Sequence, residues 1–99
     1  MAGKLFDRIR AAVESERFVF TVHARRRREA RHIENWQLVA SLPKAELVEE
    51  RRSDDPNPSI VVRQLLADGT EVEAVWSYLR WNRTAQLVTA YLPGHWDEP

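Results

Sequence analysis

The sequence has no cysteine, only three glycines and no long uninterrupted apolar run. Without cysteine, the chain can form neither a disulfide nor a thiolate metal site. Three glycines do not make a glycine-rich loop of the kind that cradles phosphates. The apolar runs are much shorter than the roughly 20 residues of a transmembrane helix. The N-terminal stretch is charged throughout, unlike a signal peptide, so we expect a cytoplasmic protein that is not bound to a membrane.

The charge is balanced in total but unevenly distributed. The chain of 99 residues, which we expect to form one domain over residues 1–99, carries 15 basic and 15 acidic residues. Residues 1–33 hold nine Lys/Arg and four Asp/Glu, whereas residues 34–73 hold four Lys/Arg and nine Asp/Glu. A basic face can bind phosphate or an acidic partner. The alternative is that the two halves neutralise each other within the fold.

Hydrophobic periodicity predicts helices in the N-terminal half. Apolar residues recur at the helical period over residues 3–14. Residues 23–32 lack glycine and proline and favour a helix by propensity. A third, short helix is predicted with Asn35 as its N-cap and Pro43 as the residue that ends it.

The C-terminal half has the pattern of strands joined by short turns. Residues 18–23 are also predicted to form a short extended stretch rich in β-forming residues. Asp68-Gly69 is a strong hairpin signal, and short loops between successive strands favour an antiparallel meander. We therefore predict an α+β fold in which N-terminal helices pack on a three- or four-stranded antiparallel sheet. The predicted strands are 46–51, 60–66, 71–79 and 86–91.

The second predicted helix is the most unusual feature, with five arginines in seven residues. His23, Arg27 and Arg31 recur every four residues and form one stripe. Like charges at this spacing oppose helix formation, so an anion must offset the repulsion. Arginine binds phosphate in a bidentate manner, which makes a phosphate ligand one interpretation. The other is an exposed helix paired with carboxylates of the acidic half, namely Glu46, Glu49 or Glu50.

The remaining chemical groups give weaker patterns. Histidines 23, 32 and 95 have no recognised metal-ligand spacing, so no metal or cofactor is predicted. Trp76, Tyr78 and Trp81 lie in or next to one strand, either as a stacking platform for bases or, more commonly, as core. Tyr91 ends the last strand, where its phenol can reach the edge of a cleft.

A series of ordered motifs runs from the second helix to the C-terminus. The motifs are His23-Ala24 with Arg27, Arg31 and Ile33, then Pro58-Ser59, Asp68-Gly69, Thr89-Ala90-Tyr91 with Pro93, and Trp96. With these motifs the chain, over about residues 18–96, resembles the uncharacterised family called domain of unknown function 4258, which is grouped with the RelE/ParE-like toxins. Glu73 stands where similar sequences often have histidine, and His32 where they often have glycine.

The resemblance implies a RelE/ParE-like fold, with two helices on a curved antiparallel sheet. It also implies a toxin of a toxin-antitoxin system that acts as a metal-independent endoribonuclease or RNA-binding protein. RNA or the ribosome and a cognate antitoxin protein would be its partners. The alternative is a module without catalysis, which binds protein or nucleic acid through its arginine-rich helix.

In a nuclease of this kind, the ribose 2′-hydroxyl would attack the adjacent phosphate. Arg27 and Arg31 would stabilise the charge that develops on the phosphate oxygens. His23 would act as acid or base, because its ordinary pKa is near neutrality. Tyr91 or Glu73 would be the partner group. These five residues are the predicted catalytic set.

Overall fold

The computed structural model describes residues 3–30, 33–53 and 57–91. Three α-helices, one 3-10 helix and five strands occupy these ranges, in an α+β arrangement. The helices are α1 (Lys4–Glu14), α2 (Val22–Ala30) and α3 (Asn35–Ser41), followed by the 3-10 helix Leu42–Lys44. The strands are β1 (Phe18–Phe20), β2 (Glu46–Arg51), β3 (Ser59–Leu65), β4 (Glu71–Leu79) and β5 (Thr84–Tyr91).

Helix α1 forms where the apolar period predicts it, and its apolar side is buried. Its C-terminus is closed by two backbone bonds, from the Glu16 amide to Val13 and from the Arg17 amide to Ala12. Glu16 adopts a left-handed conformation with φ of 63°, which this type of helix ending requires. The chain then turns directly into β1.

Helix α3 begins one residue from the predicted position. Asn35 is its first residue, and Glu34 is the N-cap, so the prediction of Asn35 as N-cap is wrong. Glu34 and Gln37 form a reciprocal capping box, which determines where the helix starts. The α-helix ends before Pro43, as predicted, because proline cannot continue the backbone hydrogen bonds.

The five strands form one mixed sheet in the order β1-β5-β4-β3-β2. The strands β2 to β5 pair antiparallel, whereas β1 pairs parallel with β5. The prediction of a three- or four-stranded antiparallel sheet is therefore wrong in strand number and in the direction of β1. The extended stretch predicted at 18–23 is confirmed only over Phe18–Phe20, because α2 already begins at Val22. Its place beside β5 depends on a contact between distant parts of the chain. The Asp68-Gly69 hairpin is confirmed, with Gly69 at φ of 90°.

The core lies between the helices and one face of the sheet, and Gln64 is a polar residue at its centre. Gln64 is fully buried. Its amide nitrogen donates to the Leu38 carbonyl at 2.9 Å and to Ser41 Oγ at 2.7 Å. Its amide oxygen accepts from Trp76 Nε1 at 2.9 Å. One side chain of β3 thus joins α3 to the neighbouring central strand, β4.

We expect Gln64→Leu to lower the free energy of unfolding by about 2–4 kcal/mol, because it leaves the buried Trp76 indole N–H and the Leu38 carbonyl without this partner. Chemical denaturation measures the change. Gln86→Leu is the matched control, since Gln86 is only partly buried and makes one hydrogen bond, with Ser77. Equal losses in the two variants would contradict this role of Gln64.

Candidate functional site

Four polar residues lie in one row across four strands. The register pairs Glu46 with Arg63, Arg63 with Glu73, and Glu73 with Tyr91. Tyr91 Oη donates to Glu73 Oε1 at 3.2 Å, and Arg63 Nη2 donates to Glu73 Oε2 at 3.2 Å. Arg63 Nη1 reaches Glu46 Oε1 at 3.5 Å. We call Glu46, Arg63, Glu73 and Tyr91 the polar row.

The polar row lies on the sheet face opposite the helices, here called the outer face. Arg63 follows Val62 and precedes Gln64, both of which are buried in the core, and successive side chains of a strand point to opposite faces. Glu73 is the most enclosed member of the row, with 6% of its surface exposed. Its two carboxylate oxygens face two different hydrogen-bond donors, so its orientation is well determined.

The surroundings of Tyr91 keep its phenol protonated. Loss of water contacts raises the pKa of Tyr91, and the neighbouring negative charge of Glu73 raises it further. The hydrogen bond to Glu73 raises the pKa of the Arg63 guanidinium in the same way. At neutral pH the row therefore presents a phenol that donates hydrogen bonds and a permanently charged guanidinium.

Helix α2 is anchored to β5 close to the row. The Thr21 hydroxyl donates to the Val88 carbonyl at 2.9 Å and accepts from the Ala24 amide at 3.0 Å, so it caps α2. The Thr21 amide donates to the Leu87 carbonyl at 3.1 Å. A register shift in the β4–β5 pairing occurs at Val88, three residues before Tyr91. The start of α2 thus lies beside the strand that ends in the row.

Of the predicted catalytic residues that the structure describes in full, Tyr91 and Glu73 are in contact and His23 is apart from them. Tyr91 and Glu73 are brought together by a hydrogen bond. His23 lies exposed in the first turn of α2, and within the described ranges no hydrogen bond joins it to that pair. The side chain of Arg27 and the whole of Arg31 lie outside the described residues. The stripe of His23, Arg27 and Arg31 therefore stays a prediction.

The carboxylates expected to pair with α2 pair elsewhere. Glu46 contacts Arg63, Glu49 contacts Arg51 at 3.3 Å, and Glu50 contacts Arg52 at 3.0 Å. The second oxygen of Glu50 also accepts from a backbone amide in the first turn of α1. Two α2 side chains that the structure describes, Arg25 and Arg26, are exposed and make no ion pair within residues 3–30, 33–53 and 57–91.

The aromatic residues divide between core and surface. Trp76 is fully buried and packs edge-on against Phe20, with the ring centres 6.3 Å apart. Tyr78 is partly buried against the core. These two rings do not form a stacking platform. Trp81, in contrast, is 81% exposed in the turn between β4 and β5.

Sequence reasoning missed Arg63. It is the one charged residue in the otherwise apolar or amide segment 60–66, and this break in the pattern is the available signal. Its partners could not be identified without the register of three strands.

The described residues contain no group of three or more histidine, cysteine or acidic side chains that could hold a metal ion. Over the same part of the chain, no helix has the length and apolar character needed to cross a bilayer.

The comparisons with known proteins identify the family. The family model described as Domain of unknown function (DUF4258) matches residues 20–92, which is well over half of the chain. The chain belongs to the DUF4258 family. The matched region of this DUF4258 domain includes α2, the whole sheet except part of β1, and three predicted catalytic residues that the structure describes in full, His23, Glu73 and Tyr91. No curated protein and no solved structure matches the chain.

We expect Glu73→Gln to lower the pKa of Tyr91 toward, but not fully to, its ordinary value. The substitution removes the negative charge beside the phenol, whereas the loss of water contacts stays. Phenolate absorbance as a function of pH measures the midpoint. A Tyr78→Phe background leaves Tyr91 as the single tyrosine, because the chain has two.

The matched control is Glu71→Gln in the same background. Glu71 is exposed on β4, two residues from Glu73, and pairs with Leu65 rather than with Tyr91. An equal shift in both variants would show that the overall negative charge of the protein, and not the contact with Glu73, raises the pKa of Tyr91.

Proposed function

We propose that this DUF4258 domain binds RNA through the basic surface of α2, as a toxin-like domain of RelE/ParE type. The observation that supports this most directly is the pairing of the acidic residues. Glu46, Glu49 and Glu50 are engaged by arginines of the sheet and its following loop, which leaves Arg25 and Arg26 of α2 available to a partner.

Phosphate is a suitable partner for these side chains. The guanidinium group stays charged at every physiological pH and donates paired hydrogen bonds to phosphate oxygens. Arginines that are adjacent in sequence on a helix diverge by about 100°, so Arg25 and Arg26 would contact successive phosphates of a bent or single strand rather than one phosphate. Anchoring of α2 by Thr21 keeps this surface fixed on the sheet.

We expect Arg25→Gln with Arg26→Gln to weaken RNA binding by roughly 10²–10⁴-fold, since hydrogen bonds to charged groups contribute about 1.5–3 kcal/mol each. Fluorescence anisotropy with a labelled single-stranded RNA measures the affinity. The slope of log affinity against log salt should become shallower by about 1.4, because each phosphate contact on a single strand contributes about 0.7.

The control for this pair is Lys44→Gln with Arg51→Gln, which removes the same charge outside α2. Both residues are exposed. If the two double variants lose equal affinity, binding depends on net charge alone and the assignment to α2 is wrong. If an acidic protein binds and RNA does not, the alternative of a protein-binding module replaces this proposal.

RNA cleavage is a second candidate function, supported by the hydrogen bond between Tyr91 and Glu73. In this reaction the ribose 2′-oxygen would form a bond to phosphorus as the bond from phosphorus to the 5′-oxygen breaks. His23 would accept the proton of the 2′-hydroxyl, and Tyr91 would supply a proton to the leaving 5′-oxygen. Because α2 packs on the core side of the sheet and Tyr91 lies on the outer face, this step requires the RNA to pass around the C-terminal end of β5. The products would be a 2′,3′-cyclic phosphate and a 5′-hydroxyl.

In this candidate reaction Glu73 would orient the Tyr91 phenol rather than contact RNA. Only 6% of its surface is exposed, and both oxygens are occupied by Tyr91 and Arg63. Arg27 and Arg31 would keep the role that the resemblance implies, stabilising the charge on the phosphate oxygens.

We expect induced expression in bacteria to arrest growth and fragment total RNA, and we expect Arg27→Ala with Arg31→Ala to abolish both effects. Tyr91→Phe should slow cleavage by about 10²–10⁴-fold, the usual contribution of proton transfer. Tyr78→Phe is the control, because it removes the other phenol. If the protein is folded and the cells grow normally with intact RNA, RNA cleavage is excluded and RNA binding is the function left to test.

A further inference from the structure

A second basic site lies at the β4–β5 turn, away from α2. A cavity of about 170 Å³ is lined there by four cationic side chains from three parts of the chain, together with Leu5 and Pro58. We call the four cationic residues and the adjacent Trp81 the turn surface. Its cationic members are Lys4 and Arg8 of α1, Arg52 after β2, and Arg80 after β4.

Most of this positive charge has no partner. Arg52 pairs with Glu50 at 3.0 Å. Lys4, Arg8 and Arg80 make no ion pair or side-chain hydrogen bond within the described ranges. Four cations around one small cavity repel one another, and the Glu50 carboxylate offsets only part of that repulsion. An anion in the cavity would complete the neutralisation.

One backbone donor at the start of α1 is already engaged, because the Phe6 amide donates to Glu50 Oε2 at 3.2 Å. Ammonium and guanidinium side chains line the cavity and would hold an anion there. These groups match the oxygens of a phosphate.

Trp81 is the next residue after Arg80, which lines the cavity, and 81% of its surface is exposed. The turn that carries both residues is held by hydrogen bonds. The Asn82 amide donates to the Leu79 carbonyl at 3.3 Å, and Arg17 Nε donates to the Arg83 carbonyl at 3.0 Å. Arg83 has a φ of 54°, which closes the turn. An exposed indole next to a phosphate-binding group suits the stacking of an unpaired base.

We propose that the turn surface binds single-stranded nucleic acid, with a phosphate in the cavity and a base stacked on Trp81. The site is distinct from the polar row, because Thr84 and Tyr91 stand at opposite ends of β5, roughly 23 Å apart at about 3.3 Å per residue. The proposal for the turn surface uses none of the residues on which the proposed function depends. The two proposals can therefore be confirmed or contradicted separately.

The test is anisotropy binding of a labelled single-stranded RNA of about 12 nucleotides, the range of one such platform. We expect Arg80→Gln with Trp81→Leu to weaken binding roughly 10–100-fold, since stacking alone contributes about 5–100-fold. The same variant should affect duplex RNA much less. An unchanged affinity for the single strand would overturn the proposal.

The matched control is Trp36→Leu with Lys44→Gln. It removes one exposed indole and one positive charge from a different cavity, beside α3. Loss of binding in this control equal to that in the turn variant would also overturn the proposal. So would binding of polyglutamate with the same dependence on Arg80 and Trp81, since the partner would then be an acidic protein.

The variants of α2 separate this inference from the proposed function. If Arg25→Gln with Arg26→Gln abolishes RNA binding and the turn variant binds normally, the turn surface is excluded and α2 is supported. If the turn variant alone loses binding, the turn surface is supported and the proposal for α2 fails. Losses in both, with the control unaffected, support one RNA strand that contacts both sites.

Discussion

The register of β3 against β4 depends on the buried side chain of Gln64. Its bonds to Trp76, Leu38 and Ser41 are satisfied only when Gln64 faces the helices. A slip of one residue would turn Gln64 outward and leave those groups without it, and would place Arg63 in the apolar core, where an unpaired charge is strongly unfavourable. The buried amide and the polar row on the opposite face therefore specify the same register from two sides.

The same register brings together charges that are distant in sequence. Glu46, Arg63 and Glu73 alternate in sign across three neighbouring strands, and opposite charges that face each other stabilise a sheet. This pairing engages Glu46 and Glu73 within the sheet itself. Lys4 and Arg8 of α1, Arg25 and Arg26 of α2, and Arg80 of the β4–β5 turn keep their charge for partners, although the chain as a whole has no net charge.

The elements were predictable from sequence where the signal is local. The bounds of β2 and β4 match the predicted ranges, and α1 differs by one residue at its start. The two errors have different causes. The parallel pairing of β1 needs β5, which is distant in sequence, as a template. The start of α3 is set locally, by the Glu34–Gln37 capping box rather than by Asn35. In the site, Tyr91 and Glu73 were named from the sequence, whereas Arg63 was not.

The sequence by itself determined the fold class, the main periodic elements and the excess of positive charge near the N-terminus, because each follows from composition or from spacing along the chain. Only the tertiary structure decided which charges are neutralised. Ion pairs and cross-strand contacts depend on register and on the packing of α2 against β5. For that reason the hydrogen bond from Tyr91 to Glu73, the partners of Arg63 and the clustering of Arg80 with Lys4 and Arg8 emerge only in the folded chain.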